Sequence, residues 1–224
     1  MVISMVKGVI FDMDGLMFDT ERVSGIVWRK TAKTLGFSIT EEFISSFRGR
    51  NYLGIKELFK KQYGRDFDYD GARAIKQRFF HAYIDENGVP VKKGLKELLM
   101  YLEEKNIPAA VATSTGRQFA EKMLRMAGIY DCFNGFVCGD EIIHGKPCPD
   151  IFHKAAQKLG IDPVDCLVLE DSEPGVLAAK AAGGYVIHVP DLVHVSREAK
   201  EGITAQMETL LDVRDWLEEQ NKEG

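Results

Sequence analysis

The stretch VIFDMDGLMFDT, residues 9–20, decides how the rest of the chain is interpreted. The apolar run over residues 6–11 is typical of a strand buried on both faces of a parallel sheet. Asp12 and Asp14 follow that strand, where open α/β sheets place their ligands. Two like charges this close need a cation between them or a proton on one of them. A catalytic site and a plain strand-end turn are both open interpretations, whereas Leu16 disfavours a calcium loop.

The composition is that of an ordinary globular protein. The chain has 224 residues, of which 45% are hydrophobic and 28% charged, and its formal net charge is −5. It lacks the basic excess of a nucleic-acid-binding protein, and no window approaches the roughly 20 apolar residues of a membrane span. The four cysteines form no disulfide pattern, and we see no signal peptide. We expect a cytoplasmic monomer that binds neither nucleic acid nor membranes.

The pattern of apolar residues divides the chain into two parts. Between residues 19 and 87 every apolar pattern is helical, in four segments at 21–35, 40–47, 52–63 and 69–84. From residue 88 onward, strand and helix patterns alternate, and the last predicted strand is 185–189, before a helix at 210–218. This alternation predicts a doubly wound α/β core with a parallel sheet, formed by 1–18 plus 88–224, with an inserted all-helical domain of four helices at 19–87.

Two later segments carry polar groups that could face the first carboxylates. Thr113, Ser114 and Thr115 follow a predicted strand, so their hydroxyls and backbone N–H groups could bind an anion, or one of them could simply cap the next helix. Lys146 is followed by a proline-rich turn that would hold its ammonium stiffly beside a carboxylate or a phosphate. The alternative for Lys146 is an ordinary solvated loop lysine.

A second pair of acids, Glu170 and Asp171, follows another predicted buried strand. Four carboxylates at two strand ends are hard to explain by structure alone. Hard oxygen ligands of this kind suit Mg²⁺. The sequence therefore predicts a crevice in which these acids meet, provided that their strands are neighbours.

The four motifs, in this order, resemble those of the haloacid dehalogenase superfamily, and most closely its β-phosphoglucomutase-like branch. The helical insertion resembles the four-helix cap of that branch, which closes over the site. The motifs that carry the resemblance are Asp12-Met13-Asp14-Gly15, Thr113-Ser114, Lys146-Pro147 with Pro149-Asp150, and Glu170-Asp171-Ser172.

The resemblance implies a role for each matching residue. Asp12 would be the nucleophile that becomes an aspartyl phosphate, and Asp14 would be the general acid/base. Phosphate binding would fall to Thr113 and Lys146, joined by Ser114 on the reasoning from its hydroxyl. The implied Mg²⁺ ligands are the Asp12 carboxylate, the Asp14 backbone carbonyl, Glu170 and Asp171.

The resemblance also frames the choice of reaction. Arg50 falls at the family's substrate-specificity loop, where it would meet a second anionic group or be an ordinary solvated arginine. Ser24 stands where the mutase has a cap histidine, which favours hydrolysis. We therefore expect a Mg²⁺-dependent phosphatase for a small phosphorylated metabolite, such as a sugar phosphate. The alternatives are a β-phosphoglucomutase-type sugar phosphomutase and a catalytically silent phosphate-binding regulatory protein.

Overall fold

The computed structural model describes residues 6–50, 52–193 and 195–223, which divide into two compact units. The α/β unit consists of the described residues up to Asp19 together with those from Pro90 onward, and the helical unit is Thr20–Val89. The predicted insertion, 19–87, starts one residue earlier and ends two residues earlier than this helical unit.

The helical unit is held together by a cluster of aromatic side chains. Its helices are α1 (Thr20–Leu35), α2 (Glu41–Phe47), α3 (Tyr52–Tyr63) and α4 (Tyr69–Asn87). Phe59 is fully buried, and its ring centroid lies 4.8 Å from that of Trp28 and 5.0 Å from that of Tyr69. The two shorter helices, α2 with 7 residues and α3 with 12, would be marginal alone, so this packing supplies the stability that they lack. Thr40 caps α2 by accepting the Phe43 N–H at 3.2 Å.

The α/β unit contains one parallel sheet. Its strands are β1 (Gly8–Phe11), β2 (Ala109–Ala112), β3 (Gly135–Val137), β4 (Cys166–Glu170), β5 (Tyr185–His188) and β6 (Ala205–Gln206). The strand order is β3-β2-β1-β4-β5-β6, and each neighbouring pair is parallel. The chain order reverses at β1, so the crevice beside β1 and β4 is where such a sheet binds ligands. The predicted α/β class with a parallel sheet is confirmed.

Helices separate the strands of this sheet, and their ends mostly follow local signals. They are α5 (Leu95–Glu104), α6 (Arg117–Met126), α7 (Asp150–Leu159), α8 (Glu173–Ala182), α9 (Arg197–Lys200) and α10 (Leu210–Glu223). The prediction that 185–189 is the last strand is wrong, because β6 follows it. β6 has only two residues, too few to show a period of two, so the sequence carries no pattern that would predict it.

The chain segments on either side of the helical unit pair with each other. The Asp19 N–H donates to the Pro90 carbonyl, and the Lys92 N–H donates to the Met17 carbonyl, both at 2.9 Å. These bonds fix the loop that follows β1 and place Lys92 beside it. Within the described residues, no helix combines the length and the apolar character needed to cross a membrane.

Candidate active site

The first two carboxylates lie at the carboxyl end of β1. Asp12 continues the ladder of β1 by donating its backbone N–H to the Leu169 carbonyl at 3.0 Å, and its side chain is buried, whereas Asp14 is partly exposed. The chain then turns at Gly15, whose φ of +91° favours glycine. A Cβ at Gly15 would lie 2.2 Å from Asp171 Oδ2. The absence of a side chain there lets Asp171 approach the Asp12–Asp14 loop.

Lys146 links the ends of three neighbouring strands. Its Nζ lies 2.5 Å from Asp12 Oδ1 and 2.5 Å from Glu170 Oε1, and it donates to the Ala112 carbonyl at 3.2 Å. The side chain is only 7% exposed, so Lys146 is not a solvated loop lysine. Burial by itself lowers the pKa of Lys146, but the two carboxylates raise it above its usual value. The ammonium is therefore a permanent positive charge at the end of the sheet.

Glu170 is fixed by hydrogen bonds to both of its oxygens. Oε1 accepts from Lys146, and Oε2 accepts the backbone N–H groups of Asp171 and Ser172 and the Ser172 hydroxyl, at 3.1, 3.2 and 3.0 Å. Gly175 provides the space, because a Cβ there would lie 1.9 Å from Glu170 Cδ. Glu170 thus acts as a rigid counter-ion that holds Lys146 in place.

The hydroxyl segment after β2 contacts the site mainly through Thr115, to which the family resemblance gave no role. Thr115 Oγ1 donates to Asp14 Oδ2 at 2.7 Å, and Thr113 Oγ1 lies 3.4 Å from the same oxygen. Ser114 is exposed, and the residue at the cap of α6 is Gly116, without a side-chain cap bond. A hydroxyl three residues beyond a strand end was the available signal for Thr115, but a helix cap also explained it.

Three buried carboxylates form a group suited to a divalent cation. One ligand oxygen from each of Asp12, Glu170 and Asp171 lies within 4.8 Å of the others. Burial raises the pKa of Asp12 to about 7, with Lys146 opposing and Glu170 and Asp14 adding to the rise. Burial, then the charges of Glu170 and Asp12, raise the pKa of Asp171 well above its usual value.

The oxygens of this group differ in what already binds them. Asp171 Oδ1 is buried without a hydrogen-bond partner among the described residues. Burial of a carboxylate oxygen without a hydrogen-bond partner is energetically unfavourable, and a bound cation would remove this penalty. Mg²⁺ therefore fits, and Asp12 and Asp171 have the geometry to hold it directly. The Glu170 oxygens are already bound, so Glu170 supports the site through Lys146.

The two predicted specificity residues lie in the helical unit. Ser24 is in α1 and is partly exposed. Arg50 is exposed beyond the end of α2, and its Nε donates to the Ser46 carbonyl at 2.8 Å. This bond satisfies one of the carbonyls left unpaired at the end of that helix.

Comparison with known proteins places this geometry in a family. Residues 6–183 match the haloacid dehalogenase-like hydrolase family. The chain is 32% identical over 220 residues to the bifunctional riboflavin kinase/FMN phosphatase of Arabidopsis thaliana, covering 94% of this chain but only 58% of that protein. It is 32% identical over 207 residues to the phosphorylated carbohydrates phosphatase of Thermotoga maritima, covering 87% of this chain and 88% of that one.

A solved structure shows the same fold over nearly the whole chain. A candidate β-phosphoglucomutase from Thermotoga maritima has 27% sequence identity and a TM-score of 0.79, and the match covers 95% of this chain and 99% of that chain. The resemblance predicted from the four motifs is confirmed, and the protein is an enzyme of the hydrolase class. The chain belongs to the haloacid dehalogenase-like hydrolase family.

Proposed function

We propose that this protein is a Mg²⁺-dependent phosphatase that hydrolyses a small phosphorylated metabolite, a sugar phosphate, through an aspartyl phosphate on Asp12. The observation that carries the proposal is the Lys146 ammonium, which lies 2.5 Å from both Asp12 Oδ1 and Glu170 Oε1 in a buried site. Phosphoryl transfer depends mainly on positioning and on neutralisation of charge. A nucleophile held in one orientation by a fixed cation meets both needs.

The side chains can be assigned to successive steps. Asp12 Oδ2, the oxygen that Lys146 does not bind, would attack phosphorus while the bond to the sugar oxygen breaks. Asp14 would donate a proton to that leaving oxygen and then take one from the water that hydrolyses the aspartyl phosphate. The bond from Thr115 to Asp14 Oδ2 supports this role, because it fixes the orientation of the acid.

The phosphoryl group needs positive charge and hydrogen-bond donors around it. Lys146, Thr113 and Ser114 are the proposed phosphate-binding residues of the chain. Mg²⁺, when bound, would supply further neutralisation of the phosphoryl charge. Asp12 and Asp171, with the Asp14 backbone carbonyl, would hold the ion. Glu170 was predicted as a ligand, and its fully bonded carboxylate supports an indirect role instead.

We assign the helical unit the role of the cap that selects the substrate. It is inserted between β1 and α5, the position that the resemblance predicts. Arg50 and Ser24 are the proposed specificity residues within it. The activity named for the Thermotoga phosphatase supports a phosphorylated carbohydrate as the substrate. Ser24, in place of the mutase histidine, supports hydrolysis over phosphoryl exchange.

The test is release of inorganic phosphate from a panel of sugar phosphates and nucleotides, with Mg²⁺ or with EDTA. The panel includes β-glucose 1-phosphate, and the sugar product is identified. Asp12→Asn is the inactive variant, and Asp165→Asn is its matched control, because Asp165 precedes β4 at the opposite edge of the sheet. We expect Mg²⁺-dependent release by the wild type and by Asp165→Asn, and none by Asp12→Asn.

Three results would overturn the proposal. Full activity of Asp12→Asn would exclude the aspartyl phosphate. Conversion of β-glucose 1-phosphate to the 6-phosphate with little free phosphate would show a mutase. Binding of Mg²⁺ without turnover of any substrate in the panel would favour a silent regulatory protein.

A further inference from the structure

A second lysine–carboxylate pair lies, like Lys146, at the carboxyl ends of the strands of the sheet. Lys92 Nζ is 2.6 Å from Asp191 Oδ1, and the Asp191 side chain is only 2% exposed. Asp191 lies in the loop after β5, three residues beyond its end. That loop runs beside the end of β4, because the Val189 N–H donates to the Glu170 carbonyl at 2.8 Å. The pair therefore neighbours the carboxylates of the candidate active site.

Asp191 is costly to bury, and the fold compensates only part of that cost. Its Oδ2 is buried without a hydrogen-bond partner among the described residues, so Lys92 is the group that neutralises it. The bond from the Val189 N–H to the Glu170 carbonyl places the loop that carries Asp191 beside the strand end that carries Glu170 and Asp171. Asp191 thus lies beside the proposed metal site although it is outside the group of candidate ligands.

Lys92 is held in place by the backbone as well as by Asp191. Its N–H donates to the Met17 carbonyl in the segment that continues from Asp12 and Asp14. The ammonium consequently has a defined position between the loop after β1 and the loop after β5. A lysine fixed at both its backbone and its side chain suits a positioning role better than a solvated surface role.

The buried charges at this edge of the sheet do not cancel. When all are ionised, the four buried carboxylates and the two lysine ammonium groups leave a net charge of −2. One divalent cation balances that charge. Asp14 is left out of this sum, because its partly exposed carboxylate is bonded by Thr115. Lys92 is 23% exposed and is counted because its ammonium pairs with the buried Asp191 carboxylate. The charged groups are Asp12, Glu170, Asp171 and Asp191, with Lys146 and Lys92.

We propose that Lys92 and Asp191 are positioning residues of the divalent-cation site. Lys92 neutralises Asp191, so that the net charge of the site stays at −2, which one divalent cation balances. This inference rests on the proposed Mg²⁺ dependence. It predicts that Mg²⁺ affinity depends on the net charge of the Lys92–Asp191 pair and not on the presence of either side chain.

The test is isothermal titration calorimetry of the metal-free 224-residue protein with Mg²⁺ in the absence of substrate. Asp191→Asn leaves the Lys92 charge uncompensated, so we expect Mg²⁺ affinity to fall about tenfold, as for other outer-shell partners. Lys92→Met should bind Mg²⁺ at least as tightly as the wild type, because the lost charge is positive. The double variant, Asp191→Asn with Lys92→Met, should return to an affinity near that of the wild type.

Asp165→Asn is the matched control, since it removes the same charge from the Lys7–Asp165 pair at the other edge of the sheet. It should leave Mg²⁺ affinity unchanged. Circular dichroism of each variant checks the fold, and the double variant keeps the test valid if a single unpaired charge prevents folding. Three results would each overturn this inference alone. They are wild-type Mg²⁺ affinity in Asp191→Asn, Mg²⁺ binding by Lys92→Met that is weaker than in the wild type, and Mg²⁺ binding by the double variant as weak as that of Asp191→Asn. A wild type that binds no Mg²⁺ would refute the metal site itself, and this inference with it.

Discussion

Replacement of Gly175 by alanine tests how tightly the fold holds the candidate active site. Gly175 lies in the first turn of α8, and a Cβ there would lie 1.9 Å from both Cδ and Oε1 of Glu170 and 2.2 Å from Oε2. Glu170 is fully buried and cannot retreat without losing its bonds to Lys146 and Ser172. The alanine side chain therefore either clashes with Glu170 or displaces the Glu170 carboxylate.

Two opposing effects set the size of the change in unfolding free energy. Helix propensity alone favours alanine over glycine by about 1 kcal/mol. Overpacking of a filled site costs about 1–3 kcal/mol, and each lost hydrogen bond to a charged group costs about 1.5–3 kcal/mol. Steric cost wins, so we expect Gly175→Ala to be about 2–4 kcal/mol less stable than the wild type. A displacement of Lys146 by about 1 Å should also lower kcat about 100-fold.

The assay is urea unfolding in EDTA, followed by circular dichroism and tryptophan fluorescence, together with kcat on the best substrate. Two compact units can unfold in separate transitions, and each contains one tryptophan, Trp28 in α1 and Trp216 in α10. Gly25→Ala is the matched control, because a Cβ at that buried position in α1 meets no atom closer than 3.6 Å. The control should gain up to about 1 kcal/mol from helix propensity.

Wild-type stability and turnover in Gly175→Ala would refute the reasoning. It would mean that Glu170 can move at no cost, and that its hydrogen bonds do not hold Lys146. Equal losses in Gly175→Ala and Gly25→Ala would also contradict it, because the damage would then not depend on the contact with Glu170.

Three further predictions concern the site itself. The folded-state pKa of Asp12 is about 7, against an ordinary 3.8, so in EDTA the free energy of unfolding should fall by up to about 4 kcal/mol as pH rises from about 4 to 7. The fall should be less steep in Asp12→Asn. Urea titrations that give both proteins the same dependence of unfolding free energy on pH would contradict this. Lys146→Met leaves two buried carboxylates without their ion-pair partner, so we expect the free energy of unfolding to fall by about 3–5 kcal/mol and nearly all turnover to be lost. Near-normal kinetics would refute the role of Lys146. Thr115→Val should lower kcat about tenfold through loss of its bond to Asp14. Thr34→Val is the control and should change kcat little, because the exposed Thr34 hydroxyl donates to the Lys30 carbonyl of its own helix; similar effects of both would exclude a specific role for Thr115.

The order of helices and strands could be predicted because it is encoded locally. Apolar periodicity and a following glycine predict 52–63 and 150–159 as helices, and α3 and α7 have these bounds. The strand predicted over 107–112 begins two residues before β2, and the one predicted over 185–189 ends one residue after β5. Strand ends are harder to predict, because a strand ends where its pairing with a neighbour ends. β6 was missed for the same reason, since two residues form a strand only through their partners in β5.

Much of the candidate site could also be predicted from strand ends. Asp12 and Glu170 stood out because each comes at the end of an apolar run, and Lys146 because a proline-rich turn follows it. The parallel sheet brings the two carboxylates within hydrogen-bond distance of Lys146. The sequence did not show that both Glu170 oxygens are occupied. That depends on the missing side chain of Gly175 in the next helix and on the Ser172 hydroxyl.

The sequence by itself determined the class of fold, the helical insertion and the residues able to carry the chemistry, because these follow from periodicity and residue type along short stretches. Only the tertiary structure decided which groups meet. Thr115 bonds Asp14 across 101 positions of the chain, and Lys92 pairs with Asp191 across 99. Such contacts depend on the order of strands in the sheet and on the burial that desolvates each charge, and neither is a local property of the chain.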